Sequence, residues 1–327
     1  MTKTALVTGG AGFIGSHLTD HLLHRGCRVI VMDDLSTGSP RNLEHLRRDQ
    51  RLDLVIDSVL DGAAVERLVR RADHVYHLAA AVGVDLIVNE PAKVIETNII
   101  GTDNLIKACA HWRRPLFIAS SSEVYGKSHD LPFNEEGDLV LGPTSKPRWS
   151  YACSKAIDEF LAAAYYKHAK LPTVVARFFN TAGPRQTGRY GMVIPRFVSQ
   201  ALAGDPITVF GDGEQSRCFA HVQDIVPAVV RLLESPACYG LVFNLGSREL
   251  VTINELAMAV KDVTGSSSDI VHVSYDDAYE VGFEDMDSRV PDTERARSYI
   301  GFTARRGLRD ILQDMVTWKS PTRDAKA

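Results

Sequence analysis

Several things that would have pointed elsewhere are scarce in this sequence. It has five cysteines (Cys27, Cys109, Cys153, Cys218, Cys238), an odd number, widely scattered and nowhere spaced as C-x-x-C. That argues against a disulfide framework and against a zinc site, so no metal is expected. It has no long Lys/Arg run: 37 basic residues stand against 41 acidic ones, for a formal net charge of −4. The electrostatic footprint of a nucleic-acid binder is therefore missing. No apolar stretch approaches the roughly 20 residues that span a bilayer, and a glycine cluster begins as early as Gly9. No membrane partner, no leader segment and a cytoplasmic location are the expectations. Internal repeats and low-complexity tracts are lacking as well, which sets aside solenoids and linkers.

What is there is a chain of 327 residues, 45% of them hydrophobic, close to the size at which a single core divides in two. Thr4-Ala5-Leu6-Val7 is a short apolar run closed by Thr8-Gly9-Gly10, and Phe13, Ile14, Leu18, Leu22 and Leu23 then recur at helical spacing. The same unit returns. Runs at 28–32, 52–56, 74–78, 115–119 and 172–178 end in Asp33-Asp34, Asp57, alanines, serines and Asn180 respectively. Helical patterns lie between most of them, which predicts a doubly wound α/β fold with a parallel sheet covered on both faces. After Gly183-Pro184-Arg185 the rhythm changes to turns, a helix around 197–203 and a strand at 207–210. This half reads as a second, smaller α/β lobe. With no linker between them the lobes must pack together, and the cleft is the natural ligand site.

Gly9-Gly10-Ala11-Gly12-Phe13-Ile14-Gly15 sits between the first strand and the first helix. Glycine lets the backbone turn tightly and approach a pyrophosphate, while the helix N-terminus supplies unpaired N–H groups. Asp33, at the end of the second strand, is placed to accept hydrogen bonds from the adenosine ribose and to repel a 2′-phosphate, favouring NAD over NADP. Asp34 competes for that role, but only one of the two can point along the sheet edge, and Asp33 is preferred. Asp57 ends the third strand and joins Gly9, Gly12, Phe13, Ile14, Gly15 and Asp33 as a cofactor-binding candidate.

Tyr151-Ala152-Cys153-Ser154-Lys155 opens a helix, and i, i+4 spacing brings phenol and ammonium onto one face. A nearby Lys⁺ and a positive nicotinamide ring would favour the phenolate, letting Tyr151 take a proton from a sugar hydroxyl as hydride leaves the same carbon.

With the serine-ended strand Ala119-Ser120-Ser121-Ser122-Glu123-Val124-Tyr125-Gly126 in place, the sequence resembles the extended short-chain dehydrogenase/reductase family, in particular its nucleotide-sugar epimerases, dehydratases and decarboxylases. The motifs T-G-G-A-G-F-I-G, S-S-S-E-V-Y-G, Y-A-C-S-K, R-F-F-N-T-A-G-P-R and G-D-G-E-Q-S-R-C-F follow the family's order over nearly the whole chain. The resemblance implies that Ser121 hydrogen-bonds the sugar O4, Tyr151 is the base and Lys155 binds the nicotinamide ribose. It implies further that Asn180 and Arg217 hold the nucleotide diphosphate and that Arg289 with Asp292 is a late R-x-x-D element near the nucleotide. Residues 1–180 become the NAD-binding domain and 181–327 mainly the nucleotide-sugar lobe, with later segments returning to the first domain. A homodimer is implied too, through a four-helix contact that uses the Tyr151 helix, where Ala156, Ile157, Phe160, Leu161 and Ala164 supply apolar surface.

All these relatives would begin with oxidation at C4, so residues near C5 and C6 must separate them. The family's dehydratases carry Thr-Asp-Glu where this chain has Ser121, Ser122 and Glu123, so the Asp of a 4,6-dehydratase is absent. UDP-glucuronate decarboxylases carry Thr-Ser-Glu, matched at Ser122 and Glu123, and Gly282-Phe283-Glu284-Asp285 resembles their C-terminal part. Against this, His77-Leu78-Ala79-Ala80-Ala81-Val82-Gly83 resembles the epimerase version of the loop over the cofactor. Arg185 is placed either to reach the carboxylate of a uronic acid or simply at the lobe junction. The expectation is an NAD-dependent UDP-sugar 4-epimerase acting on UDP-glucuronate or UDP-glucose, with Ser121, Glu123, Tyr151 and Lys155 catalytic and Ser122, Asn180, Arg185, Arg217, Arg289 and Asp292 on the substrate. A UDP-glucuronate decarboxylase is the alternative. A 4,6-dehydratase and a non-catalytic NAD-binding sensor follow.

Overall fold

The computed structural model describes residues 2–188, 192–274 and 289–320. The apolar runs become strands and the intervening patterns helices: β1 (Thr4–Thr8), α1 (Phe13–His24), β2 (Arg28–Asp33), β3 (Leu52–Ile56), α2 (Gly62–Arg71), β4 (His74–His77), α3 (Val84–Asn89), α4 (Pro91–Trp112), β5 (Leu116–Ser121), α5 (Arg148–Ala169) and β6 (Thr173–Phe178). The chain continues through β7 (Thr181–Ala182), α6 (Val193–Ala203), β8 (Ile207–Phe210), β9 (Ser216–Cys218), β10 (Ala220–His221), α7 (Val222–Glu234), β11 (Val242–Leu245), β12 (Leu250–Thr252), α8 (Ile253–Thr264), β13 (Ile270–Val273), α9 (Glu294–Ile300) and α10 (Leu308–Lys319). Gly282–Asp285 and residues 321–327 lie outside the described residues.

Seven strands form one parallel sheet in the order β11-β6-β5-β4-β1-β2-β3. Leu6 of β1 stands beside Ile30 of β2 on one side and Val75 of β4 on the other, all three buried. Such strands are apolar almost throughout because helices cover both faces. Leu18 and Leu22 of α1 and Val226, Val229 and Leu233 of α7 cover one face. Leu68 and Val69 of α2 and Leu105 and Ile106 of α4 cover the other. The strand order reverses between β1 and β4, so the carboxyl ends there open a crevice at the switch point. A separate core joins α6, α8 and α10 through Phe197, Val198, Leu256, Val260, Ile311 and Met315. Although α7 and β11 come after residue 180, both build on the large sheet.

The sheet extends beyond its apolar pattern. β5 takes in Ser120 and Ser121, which pair with Arg177 and Phe178 of β6, so these serines are the last residues of the strand rather than a loop after it. Alternation turns their side chains to opposite faces. The Ser120 hydroxyl donates to Glu159 of α5 at 2.5 Å, and Arg177 grips the same carboxylate through Nη2 at 2.7 Å and Nε at 3.0 Å. The pair is buried, and Arg177 also lies over the ring of Tyr125 at 4.7 Å. Tyr125 stacks on Phe133 and donates to Asn244 of β11 at 2.8 Å. One cluster thus ties α5 to β5, β6 and β11.

Removing one member of a buried ion pair leaves the other charged and unpaired, at a cost of about 3–5 kcal/mol. Arg177→Met is therefore expected to lower the unfolding free energy by about that amount in urea titrations, and a loss below about 1 kcal/mol, the range of exposed pairs, would show that Glu159 is satisfied without it.

Candidate active site

A cavity of about 900 Å³ runs along the carboxyl ends of the sheet and between the lobes. At one end the glycine loop forms a turn that admits no side chain. A Cβ on Gly15 would sit 2.1 Å from the Gly9 carbonyl oxygen, and one on Gly9, whose φ is +69°, would sit 2.7 Å from the backbone nitrogen of Ala79. Gly12 caps α1 without a side chain, so the first N–H groups of the helix face the cavity unshielded. Asp33 accepts from the backbone of Ala11 at 2.9 Å through one oxygen and from Leu35 at 2.9 Å through the other. Burial pushes its carboxyl up and these backbone donors oppose the push. Asp34 also borders the cavity but is exposed, its carboxylate accepting from Ser36. Asp57 lines the cavity beside them, its carboxylate accepting from the Ser58 backbone at 2.9 Å. A rigid bare turn at a helix start with a fixed carboxylate on the next strand fits the pyrophosphate and ribose of a dinucleotide.

At the other end Ser121, Ser122, Glu123, Tyr151 and Lys155 converge. The Ser121 hydroxyl is hydrogen-bonded to the Tyr151 phenol and also accepts from the Glu123 backbone at 3.2 Å. Burial first, then the charge of Glu123, push the phenol well above its ordinary range, and the Ser121 contact only partly opposes this. Tyr151 is a neutral phenol until cationic help arrives. Glu123 receives Arg289 Nη1 at 2.5 Å on one oxygen and has Arg148 Nη2 at 3.6 Å from the other. Burial alone would raise this carboxyl, but Arg289, Arg148 and Arg217 together hold it below the usual carboxylate range. Glu123 is thus an ionised carboxylate beside a neutral phenol.

The remaining candidates divide. Asn180 lines the cavity and anchors its own loop by donating to the Cys218 carbonyl at 3.1 Å; Arg217 lines it from β9, donating to the Ser216 carbonyl at 2.8 Å. Arg185 also borders it, but its Nη2 is held by Asp20 of α1 at 2.7 Å while Nη1 is buried without a partner. Its guanidinium therefore sits along the first helix, not beside Ser121 and Tyr151. Asp292 does not line the cavity. It accepts from the Glu294 backbone at 2.9 Å at the start of α9, and its own N–H donates to the Phe133 carbonyl at 2.9 Å. Three residues apart along a non-helical stretch, Arg289 and Asp292 leave on different sides. Arg148 and Asp158 escaped sequence reasoning. Arg148 stands three residues before Tyr151 on α5, a spacing that signals a shared face; Asp158 accepts from Lys155 Nζ at 3.0 Å. In the loop resembling the epimerase version, residues 78–83 line the cavity, while His77 is buried between Thr8 and Thr102.

A family model described as GDP-mannose 4,6 dehydratase matches residues 6–315. The chain belongs to that family, within the extended short-chain dehydrogenase/reductases. It is 39% identical, over 97% of this chain and 98% of the relative, to UDP-N-acetyl-alpha-D-glucosaminuronate decarboxylase of Bacillus cytotoxicus. It is 36% identical, over 92% of this chain and 68% of the relative, to UDP-glucuronic acid decarboxylase 1 of Xenopus tropicalis. Among solved structures, the UDP-glucuronic acid 4-epimerase of Bacillus cereus in complex with UDP-glucuronic acid and NAD superposes with a TM-score of 0.85 at 28% identity, covering 96% of this chain and 98% of that one. The protein is an NAD-dependent enzyme of this class.

Since a Cβ at position 15 has nowhere to go, Gly15→Ala is expected to lower the NAD retained through purification by at least about tenfold, about 1.4 kcal/mol, as measured by nucleotide release and chromatography. Undiminished NAD would place the pyrophosphate elsewhere.

Proposed function

We propose that this enzyme is a UDP-hexuronate decarboxylase, taking UDP-glucuronate or its 2-acetamido counterpart to the UDP-pentose. The observation that carries the reading is Glu123, held ionised by Arg289 and Arg148 beside Ser121 and Tyr151. The likeness to curated decarboxylases over nearly the whole chain supports it. NAD⁺, when bound, accepts the hydride from C4 of the sugar. Tyr151 takes the O4 proton while Ser121 hydrogen-bonds the same oxygen. The resulting C4 ketone lies β to the C6 carboxylate, so the C5–C6 bond breaks, CO₂ leaves, and its electron pair is held as the enolate. C5 then takes a proton from solvent, which balances the loss of CO₂; hydride returns from the bound cofactor to C4, and Tyr151 gives its proton back to O4. Throughout, Arg289 and Arg148 keep cationic charge at the wall where a carboxylate substrate reacts, and Glu123 keeps the two guanidiniums aligned. Asn180 and Arg217 are assigned to the diphosphate, and Ser122 to the sugar.

The 4-epimerase expected from the sequence is the second reading, favoured by residues 78–83 along the cavity and by the likeness to the Bacillus cereus epimerase. It needs rotation of the keto sugar and no loss of C6. A homodimer through α5 belongs to the same proposal, Phe160 being 70% exposed there.

Proton NMR of the protein with UDP-glucuronate, with its 2-acetamido counterpart and with UDP-glucose separates the readings: a UDP-pentose and released CO₂ are expected, whereas a galacto-configured product retaining C6 would establish epimerisation. Glu123 is ionised above its lowered pKa and loses its charge as pH falls through it. Arg289→Gln removes the largest cationic contribution opposing burial, so the acid limb of the kcat profile is expected to move to higher pH, with kcat reduced about 10²-fold or more. A drop in kcat with an unmoved acid limb would detach Glu123 from the pH dependence.

A further inference from the structure

Lys155 does not stand alone. Its ammonium meets Asp158 Oδ2 at 3.0 Å, one turn further along α5, and both side chains are almost wholly withdrawn from solvent. Nothing in the C4 chemistry calls for a carboxylate there, and a buried charge is costly unless it has work at its partner. From α4, Thr102 faces the Asp158 carboxylate, whose Oδ1 is buried without a hydrogen-bond partner; from β4, His77 Nε2 lies 3.1 Å from the Thr102 hydroxyl, with Nδ1 2.8 Å from Thr8 of β1. Burial lowers His77 to about 3, so this ring adds no charge. On α5 itself Glu159 is near but paired with Arg177. Tyr151 is faced by Ser121 and Glu123 from the end of β5 and by Asp158 from its own helix.

We propose that Asp158 is a positioning residue for Lys155: it fixes the ammonium at the floor of the cavity and balances its charge, so that Tyr151 depends on the oxidised nicotinamide ring to lose its proton. Burial raises the Asp158 carboxyl and Lys155 opposes that rise, as an ion pair requires. With Lys155 unbalanced, the phenol would be drawn toward phenolate whatever the redox state of the cofactor. With Asp158 present, the deciding positive charge is that of NAD⁺, which disappears on reduction. The phenol is then a base when hydride must leave C4 and an acid when hydride returns. The inference rests on the roles given to Tyr151 and Lys155 and not on which sugar is processed.

The test follows the tyrosinate ultraviolet band with pH at saturating NAD⁺ and no sugar, as the difference between the protein and its Tyr151→Phe variant. Asp158→Asn is expected to lower the Tyr151 midpoint by about one pH unit. An unmoved midpoint in a folded, NAD-loaded Asp158→Asn protein overturns the proposal, leaving Asp158 a structural residue. Should that variant fail to fold, Lys155→Met is compared with Lys155→Met/Asp158→Asn, in which the pair is removed together. The single variant is expected to raise the midpoint and the double variant to bring it back down; equal midpoints overturn the proposal. Because no sugar enters the titration, its failure is distinct from failure of the decarboxylase reading, which the product analysis decides.

Discussion

The chemistry of this enzyme depends on the buried ion pair of Glu159 and Arg177. Tyr151, Lys155, Asp158 and Glu159 follow one another along the inward face of α5, at spacings of four, three and one. Glu159 fixes the azimuth and height of that face by gripping Arg177 of β6 and the Ser120 hydroxyl of β5. An apolar contact of the same area would hold the helix to the sheet but would let it rotate or slide by fractions of an ångström. A forked guanidinium on a carboxylate does not, because its two parallel hydrogen bonds exist in one orientation only. That geometry places the phenol against the Ser121 hydroxyl, the residue next to Ser120 on the same strand. The buried charges are thus best read as a device for register, with stability as a secondary gain.

The second constraint is the balance of charge around Tyr151. Two carboxylates flank it, Glu123 from the end of β5 and Asp158 from its own helix, and each is matched by cations: Arg289 and Arg148 for the first, Lys155 for the second. Both carboxylates oppose loss of the phenolic proton, so the protein in the absence of ligands holds Tyr151 neutral. The ligands of such an enzyme are themselves highly charged, one of them positive at its reacting ring and the other negative along its diphosphate. A site whose charges are internally paired responds to those ligands by redistributing hydrogen bonds rather than by burying a lone charge, which keeps the cost of an empty cavity low.

The sheet was legible because its strands are buried on both faces and so read as continuous apolar runs, and because most runs end in glycine, aspartate, serine or asparagine at the same edge. The glycine loop and Asp33 were legible for a steric reason: no side chain fits the turn at Gly9 or Gly15. The serine-ended strand was legible too, and its ladder partners on β6 show that Ser120 and Ser121 belong to β5. Where the Asp292 carboxylate points was not legible because motif spacing carries no direction, and only the start of α9 shows that it accepts from the helix backbone. Asp158 and Arg148 were missed for the converse reason. Each lies in an ordinary helical pattern, and its significance comes from a partner that the fold supplies, Lys155 buried beneath the cavity in one case and Glu123 from another element in the other.

The ambiguity between epimerisation and decarboxylation has a physical origin. Every residue that touches C4 serves both reactions, since both create the same ketone and both return hydride to it. Once the ketone exists, the C6 carboxylate is that of a β-keto acid, and its loss needs little more than alignment of the C5–C6 bond with the carbonyl π system. Retaining that carboxylate requires the enzyme to hold it in the plane; losing it requires a wall that lets it stand perpendicular. Glu123 with its two arginines forms a wall rigid in direction, because the carboxylate is fixed from both oxygens. On the decarboxylase reading, the guanidiniums of Arg289 and Arg148, and not the anionic Glu123, would face a substrate carboxylate, with Glu123 fixing their direction.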